Sequence, residues 1–349
     1  MIVTAFSSIR LLAQWPSGKD GPLLVKTGEK ITLQPGKTYD FQSITVQSGG
    51  TINISPGSDW VIIGSLGDVN IQGTIVGNEG IADSGNFVAT APDGFQLQYN
   101  FVSSGGGVGG DAPWKCPVVD HPIANGGPSS SNGNGGGGAA LGEVVGQSFI
   151  AGGAGGNARG GDGAMGVCRR GVCSAPGQGG ALWGNPGTDG GLANGAPRNW
   201  SNIGGGGGGG ARGRNGQLIY IRTLGNFGAP DGIIDVSGGN GGAGGHGGDT
   251  GAPQAWVLQE GGGGGAGGRA GAIIVRYGAQ AHASPLQYKV NGGQGGKGGL
   301  GGVDGNSNGH CQAFLFKGGD GQPGQNGGEG LSNVQSFKAS ALRITADVQ

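Results

Sequence analysis

Apolar and polar residues alternate with a two-residue period through residues 25–77. The apolar runs are short and rich in β-branched residues, and Pro-Gly, Gly-Gly and Gly-Asp turns separate them. This alternation predicts strands whose inward side chains are Ile44, Val46, Ile52, Ile54, Val69, Ile71 and Ile75. Many short strands at nearly regular spacing predict a small β-solenoid or β-sandwich for this part of the chain.

A period of three residues replaces the period of two in the rest of the chain. The segments 238–248 and 292–302 repeat Gly-Gly-X, and residues 318–330 carry Gly at every third position. Three residues per turn is the period of the polyproline-II helix, which rises 3.1 Å per residue. That helix has no internal hydrogen bonds, so its N–H and C=O groups must pair with neighbouring chains. Glycine favours this pairing because it lets backbones approach closely.

The composition changes sharply along the chain. Of the 92 Gly among 349 residues, 14 lie in residues 1–104 and 78 in residues 105–349. We therefore predict a β-rich attachment domain over 1–104 and a glycine-rich domain over 105–349. So much glycine disfavours α-helix, and the chain lacks the high net charge that is typical of disorder. The expected fold is all-β, followed by a bundle of extended glycine helices, with essentially no α-helix.

Charge and hydropathy exclude several classes of function. The formal net charge is -1 and charged residues make up 12% of the chain, which argues against a nucleic-acid-binding protein. No stretch is apolar enough to cross a bilayer, so we expect no membrane insertion. The first 16 residues are a poor secretory signal, because Ser7, Ser8 and Arg10 interrupt their apolar run. Release by cell lysis, as for a phage component, is consistent with this.

The connectors between glycine runs alternate in kind. Eight runs lie at about 105–110, 133–142, 151–163, 204–213, 238–248, 261–271, 292–302 and 318–330. Apolar, strand-like connectors lie at 143–150, 217–238 and 272–293, and a similar segment follows the last run at 340–348. Irregular connectors with Pro, Trp, Cys and His lie at 111–132, 164–203, 249–260 and 303–317. If the runs go up and down, the irregular connectors gather at one end of a bundle.

In this run spacing and alternation, residues 105–349 resemble the tail-fibre tip adhesins of T-even-like phages. The resemblance rests on runs such as GGNGGAGGHGG and GGQGGKGGLGG and does not extend to residues 1–104. It implies a polyglycine-II helix bundle with receptor-binding loops at its distal end, on an extracellular virion. The expected partners are a bacterial outer-membrane protein or glycan, and other tail or fibre proteins through residues 1–104. No individual receptor-binding residue carries over.

All four cysteines lie in the irregular connectors. We expect Cys168 and Cys173 to close a small hairpin, and Cys116 to pair with Cys311 across the loop end. Zinc held by these thiolates with His121 or His310 is chemically reasonable, but the spacing matches no known zinc module. Free thiols are the third alternative in a reducing compartment. We predict disulfides, no metal and no cofactor.

Aromatic and basic side chains in the same connectors are the candidates for receptor contact. Aromatics on loops stack on sugars or anchor protein partners, and arginines meet anionic groups. The alternative is that the aromatics form a small core over the bundle end and that the charges are solvated. The candidates are Trp114, His121, Arg169, Arg170, Trp183, Arg198, Trp200, Trp256, Phe314 and Phe316.

Catalysis finds little support in the sequence, and we expect no enzyme. The string GGGGGGGARGRNGQ contains a GxGxxG pattern, but no strand-to-helix context or P-loop lysine accompanies it. Two hypotheses of function remain: a receptor-binding adhesin at a phage tail tip, and a structural surface or filament protein whose loops mediate assembly. Both need close-packed scaffold glycines inside the bundle, for which we select Gly242, Gly245, Gly293 and Gly296.

Overall fold

A computed structural model describes the chain from residue 15 to residue 336 with gaps. The described residues are 15–80, 85–101, 104–110, 127–130, 134–138, 140–143, 148–150, 155, 159–163, 168–169, 172–173, 176–181, 184–188, 206–228, 231–247, 262–278, 286–301 and 320–336. These residues form strands and extended segments and contain no helix, which confirms the predicted all-β class for them.

Twenty strands follow one another along the described chain. The first eight are β1 (Pro22–Val25), β2 (Lys30–Leu33), β3 (Thr38–Phe41), β4 (Ser43–Val46), β5 (Thr51–Ile54), β6 (Trp60–Ser65), β7 (Val69–Ile71) and β8 (Thr74–Val76). Next come β9 (Gly85–Thr90), β10 (Gln96–Phe101), β11 (Ala140–Glu143), β12 (Ser148–Ile150), β13 (Cys168–Arg169) and β14 (Val172–Cys173). The last six are β15 (Leu218–Thr223), β16 (Phe227–Gly228), β17 (Ile233–Asp235), β18 (Ala272–Tyr277), β19 (Gln287–Lys289) and β20 (Leu331–Ser336).

Fourteen of these strands build three parallel sheets that the chain visits in turn. Sheet 1 has the order β1-β4-β7-β16, sheet 2 the order β2-β5-β8-β17-β19, and sheet 3 the order β3-β6-β15-β18-β20. Successive strands of these sheets pass from sheet 1 to sheet 2 to sheet 3, and each circuit adds one strand to each sheet. The exception is the step from β18 to β19, which has no described strand of sheet 1 between them. Of the two folds that the alternation predicts, this strand order is that of the parallel β-solenoid.

The solenoid core is a stack of β-branched side chains in register. In sheet 2, Ile31, Ile52, Ile75 and Ile234 lie beside one another on successive strands. The seven inward residues expected from the alternation are all at most 4% exposed and belong to this core. Their prediction is confirmed, because a two-residue period places alternate side chains on one face of a strand.

Sheet 3 is buried on its outer face as well. There Trp60, Ile62, Leu218, Tyr220 and Ile274 form a second apolar cluster with the β9–β10 hairpin and Trp15. Asp93, in the turn of that hairpin, accepts a hydrogen bond from the Tyr220 hydroxyl at 3.1 Å and pairs with Arg222 and Arg276 of the sheet. This ion cluster fixes the hairpin over the sheet.

The sheets cross the compositional boundary at residue 104. β15 pairs in parallel with β6 over six residues, and β18 and β20 extend the same sheet. Residues beyond 217 thus complete the solenoid that residues 22–76 begin. The predicted division into separate domains at 1–104 and 105–349 does not hold for the strands. Composition marked the place where glycine runs begin. The runs lie in three excursions of the chain that each leave sheet 2 and return to sheet 3 of one solenoid, after β8, β17 and β19.

The glycine runs bond to one another at intervals of three residues. Gly262, Gly265 and Gly268 donate their N–H groups to the carbonyls of Gly245, Gly242 and Gly239, at 2.8–2.9 Å. Donors advance by three as acceptors retreat by three, so the two runs are antiparallel. In the run 292–301, residues 291, 294, 297 and 300 are exposed, whereas 293, 296 and 299 are buried. Burial therefore follows the same period.

The central run, residues 262–271, has neighbours on six sides. It donates to three segments, around Gly242, Gln325 and Gly136, because successive residues point in three directions. It accepts from three others: Gly213 donates to Ala266, Gly296 to Gly265, and Gly107 to Gly264. Apart from Arg269, every residue of this run is buried.

Close contact between these backbones leaves no room for side chains. A Cβ on Gly242 would lie 2.0 Å from the Asn185 carbonyl oxygen, and one on Gly293 would lie 1.9 Å from that of Gly239. Gly242, Gly245, Gly293 and Gly296 each donate to a neighbouring run, to Ala211, Gly208, Gly268 and Gly265 respectively.

The requirement for glycine at interior positions can be tested by substituting two adjacent residues, one buried and one exposed. Gly296→Val should lower the free energy of unfolding by at least about 3 kcal/mol, since a Cβ there meets the Gly242 oxygen at 2.0 Å and strained packing adds to lost hydrogen bonds. Lys297→Val, at the exposed neighbour, should change it by less than about 0.5 kcal/mol. Thermal melts measure both, and equal losses would contradict the packed arrangement.

The turn before β1 is held by one buried carboxylate. Asp40 is 3% exposed and accepts hydrogen bonds from the N–H groups of Ser17 and Gly18 and from the Ser17 hydroxyl, at 2.6–2.9 Å. Burial by itself raises the pKa of Asp40, but these hydrogen bonds and the charge of Lys19 outweigh burial and lower it below the usual value.

A lowered pKa in the folded state makes the contribution of Asp40 depend on pH. It stabilises the fold fully above the unfolded pKa of about 3.9, and the stabilisation is lost as the pH falls through the lower folded pKa. Asp40→Asn should lower the free energy of unfolding at pH 7 by about 1.5–3 kcal/mol and reduce its acid dependence. Asp59→Asn, at an exposed carboxylate, is the control. Identical melts of the two variants from pH 7 to pH 3 would contradict this assignment.

Candidate binding end of the glycine runs

The runs have one end at the solenoid and another away from it. The segments 206–217, 262–271 and 320–330 lead directly into β15, β18 and β20, so residues 206, 262 and 320 are farthest from the sheets. The segments 238–247 and 292–301 leave β17 and β19, so residues 247 and 301 are farthest. We call the end that contains 206, 247, 262, 301 and 320 the far end.

Hydrogen bonds also show which residues of the earlier segments lie at the far end. Gly138 donates to Gly207, and Gly163 donates to Gly177, which itself donates to Gly206. The Thr188 carbonyl accepts from Gly208, and Gly127 donates to Gly137 and accepts from Gly109. The described residues that precede and follow five connectors therefore lie together at the far end: 111–126, 164–175, 189–205, 248–261 and 302–319. Connector 139–154 starts there after Gly138, but Gly155, which follows it, donates to Pro128 and lies nearer the solenoid.

The predicted sorting of connectors holds only in part. The strand-like connectors at 217–238 and 272–293 are solenoid strands, as their separation from the irregular ones implied. β11 instead begins two residues after Gly138, so the chain enters the strand-like connector 143–150 from the far end, and its expected start at the opposite end was wrong. The irregular connector 164–203 contains two further short segments, 176–181 and 184–188, that bond within the bundle.

Most candidate receptor-binding residues lie outside the described residues, although the ends of their connectors do not. This holds for Trp114, His121, Arg170, Trp183, Arg198, Trp200, Trp256, Phe314 and Phe316, and also for Cys116 and Cys311. The flanks of Trp183 are the exception in position. Gly180 donates to Gly209 and Gly184 to Arg212, so these flanks, like Gly155, lie nearer the solenoid than the far end.

The backbone places Cys168 and Cys173 opposite each other. β13 and β14 form a two-stranded antiparallel pair in which Cys168 is the register partner of Cys173, and Arg169 that of Val172. Register partners in an antiparallel pair have Cα atoms about 4.5–5.5 Å apart, within the range that a disulfide spans. The Cys168–Cys173 disulfide stays a prediction.

Along the outer run 292–301, some backbone N–H groups donate to side-chain oxygens or to a ring nitrogen and not to backbone carbonyls. Asn240 Oδ1 accepts from the N–H of Gln294 and His246 Nδ1 from that of Leu300, at 2.9 and 2.8 Å. Asn326 Oδ1 accepts from Gly295 and Asp320 Oδ1 from Gly301, both at 2.9 Å. Acceptors and donors both recur after six residues, which is twice the three-residue interval of the backbone hydrogen bonds. Sequence reasoning missed this role; the polar X positions six residues apart carry its signal.

The chain matches no protein-family model, no curated protein and no solved structure. No helix among the described residues is long and apolar enough to span a membrane. Within the same part of the chain, no group of three or more His, Cys, Asp or Glu side chains is arranged to hold a metal ion. The site is therefore defined by backbone geometry and by the connectors that it carries.

Substitutions of His246 test whether its ring nitrogen is the acceptor for the Leu300 N–H. His246→Leu removes the acceptor for the Leu300 N–H, whereas His246→Asn copies the arrangement at Asn240. Amide exchange at Leu300 should be up to about tenfold faster in the leucine variant, because one hydrogen bond contributes about 0.5–1.5 kcal/mol. The asparagine variant should restore most of the protection. Equal exchange at Leu300 in all three proteins would contradict this role for the side chain.

Proposed function

We propose that this chain is a receptor-binding adhesin of a phage tail, acting outside the cell on the virion. The solenoid is the attachment part, through which the chain joins other tail or fibre proteins. The glycine runs are a polyglycine-II bundle that holds binding loops away from the solenoid. The loops contact a bacterial surface receptor, either an outer-membrane protein or a glycan.

The observation that carries this proposal is that the described flanks of five connectors lie together at the far end. Flanks far apart along the chain are hydrogen-bonded neighbours: Gln322 donates to Val108, 214 residues earlier, and Gly138 donates to Gly207. Loops on a rigid scaffold are a common site of recognition, because their sequence can vary without loss of the core. The aromatic residues and arginines of these connectors suit contact with sugars or anionic groups.

The threefold bonding supports the polyglycine-II part of the proposal. Hydrogen bonds at every third residue, six neighbours around the central run and interior positions restricted to small residues are the features expected of packed helices of this type. Such a bundle is stiff because every run is bonded sideways to several others. Stiffness would keep the loops in fixed relative positions and so reduce the entropy lost on binding.

The proposal predicts that replacing connectors at the far end abolishes receptor binding, whereas replacing a loop elsewhere does not. Replacing 111–126 and 302–319 by Gly-Ser linkers of equal length should reduce adsorption of the purified protein to susceptible bacterial cells at least tenfold. Replacing 279–285, which joins two solenoid strands, is the matched control and should leave adsorption unchanged. Thermal melts should shift by only a few degrees in both variants. Unchanged adsorption of the first variant would favour a structural role in which the loops mediate assembly.

A further inference from the structure

The solenoid has an unfinished end beside β19 and β20. Tyr277, Leu286, Tyr288 and Val290 pack on the core but are only partly buried, whereas Ile234, one strand further inside, is 0% exposed. In the described part of the chain, β19 pairs on one side only, with β17. Burial, and then the neighbouring Tyr277, raise the pKa of Tyr288 to about 12, so its hydroxyl stays neutral at the edge of the core.

Exposure of β20 identifies the same end. Five of its six residues are exposed, including Leu331 at 40% and Val334 at 38%. Open strand edges and unburied core residues at the end of a repeated structure normally require a cap. The surface is therefore one that another strand-forming segment fits.

A strand-like segment follows β20 at nearly the spacing of earlier circuits. β7 begins four residues after β6 ends, at Val69 after Ser65, and β16 begins four residues after β15 ends, at Phe227 after Thr223. The segment 340–348 begins four residues after Ser336, and Leu342 follows Ser336 by six, so a match of Leu342 to Val69 lengthens the connection by two residues.

The apolar positions of that segment also match a solenoid circuit. Val69, Ile71 and Ile75 are the inward residues of β7 and β8, at relative positions 1, 3 and 7. Leu342, Ile344 and Val348 have the same relative positions, and Arg343, Thr345 and Asp347 occupy positions between them. Superposing the two patterns brings Val348 to the position of Ile75, next in the ladder after Ile234 and Tyr288.

We propose that residues 340–348 form the closing circuit of the solenoid. Leu342 and Ile344 then take inward positions on the side of sheet 1, and Val348 covers Tyr288 by pairing of residues 346–348 with the edge of β19. This inference does not depend on the proposed receptor binding. It concerns the end of the solenoid and not the far end of the glycine runs.

Two neighbouring lysine substitutions in the full chain test the proposal. Ile344→Lys places a charge at an inward position and should speed amide exchange at Gln287–Lys289 at least tenfold and lower the melting temperature by several degrees. Thr345→Lys, at an outward position, should leave both as they are. Exchange at β5 and β8, deep in the same sheet, should be unchanged in both variants.

Two results would overturn the proposal. One is equal exchange at Gln287–Lys289 in Ile344→Lys, Thr345→Lys and the parent chain. The other is protection of these residues that disappears on dilution, together with a dimer in size-exclusion chromatography with light scattering, since the edge would then be covered by a second copy. A variant that ends at Ser336 provides a second measurement: increased exchange confined to β19 supports the closing circuit, and unchanged exchange contradicts it.

Discussion

Backbone-to-backbone hydrogen bonding between extended segments is the interaction on which the rest of this structure depends. An extended threefold chain satisfies none of its own N–H and C=O groups, and a buried unpaired group costs about 1–3 kcal/mol. Each run here is therefore stable only beside others, as in the bonds of Gly265 to Gly242 and of Gly296 to Gly265. The abundance of glycine follows from this requirement, because the partners lie where a Cβ would otherwise be.

The solenoid solves the problem of aligning such runs. A free glycine chain loses more backbone entropy on ordering than any other, and unaided runs have no preferred register. Here β17 and β18 fix both ends of one pair of runs, and β19 and β20 fix those of the next, because their strands are in register within sheets 2 and 3. Apolar packing in the solenoid thus sets the register of a bundle that has almost no apolar side chains of its own.

Local periodicity made part of this fold predictable from the sequence. The pairing of strands that lie far apart along the chain could not be predicted. Inward residues such as Ile52 and Ile75 follow from alternation within a few residues, and the three-residue repeat of 292–302 matches the three-residue interval of its hydrogen bonds. The parallel pairing of Trp60 with Leu218 has no local signal, since 158 residues separate them and both segments are continuous apolar runs. The short segments 176–181 and 184–188 carry too few repeats to show a period. At the candidate site, part of the grouping of connectors could be predicted because it follows from the alternating direction of the runs, whereas the flanks at Ala181 and Gly184 belong to those undetected segments.

The three-residue interval of the hydrogen bonds also restricts the lengths that the bundle can have. One Gly-Gly-X unit spans one three-residue interval of the hydrogen bonds and returns every following residue to the same orientation. An insertion of three residues in each of two antiparallel neighbours, such as 238–247 and 262–271, therefore preserves every bond between them. One or two residues would instead turn donors toward the wrong neighbour and bring Asn240 or His246 into the interior. The length of the bundle can therefore change only by three-residue insertions or deletions made in neighbouring runs together. The connectors at the far end are not subject to this restriction on length.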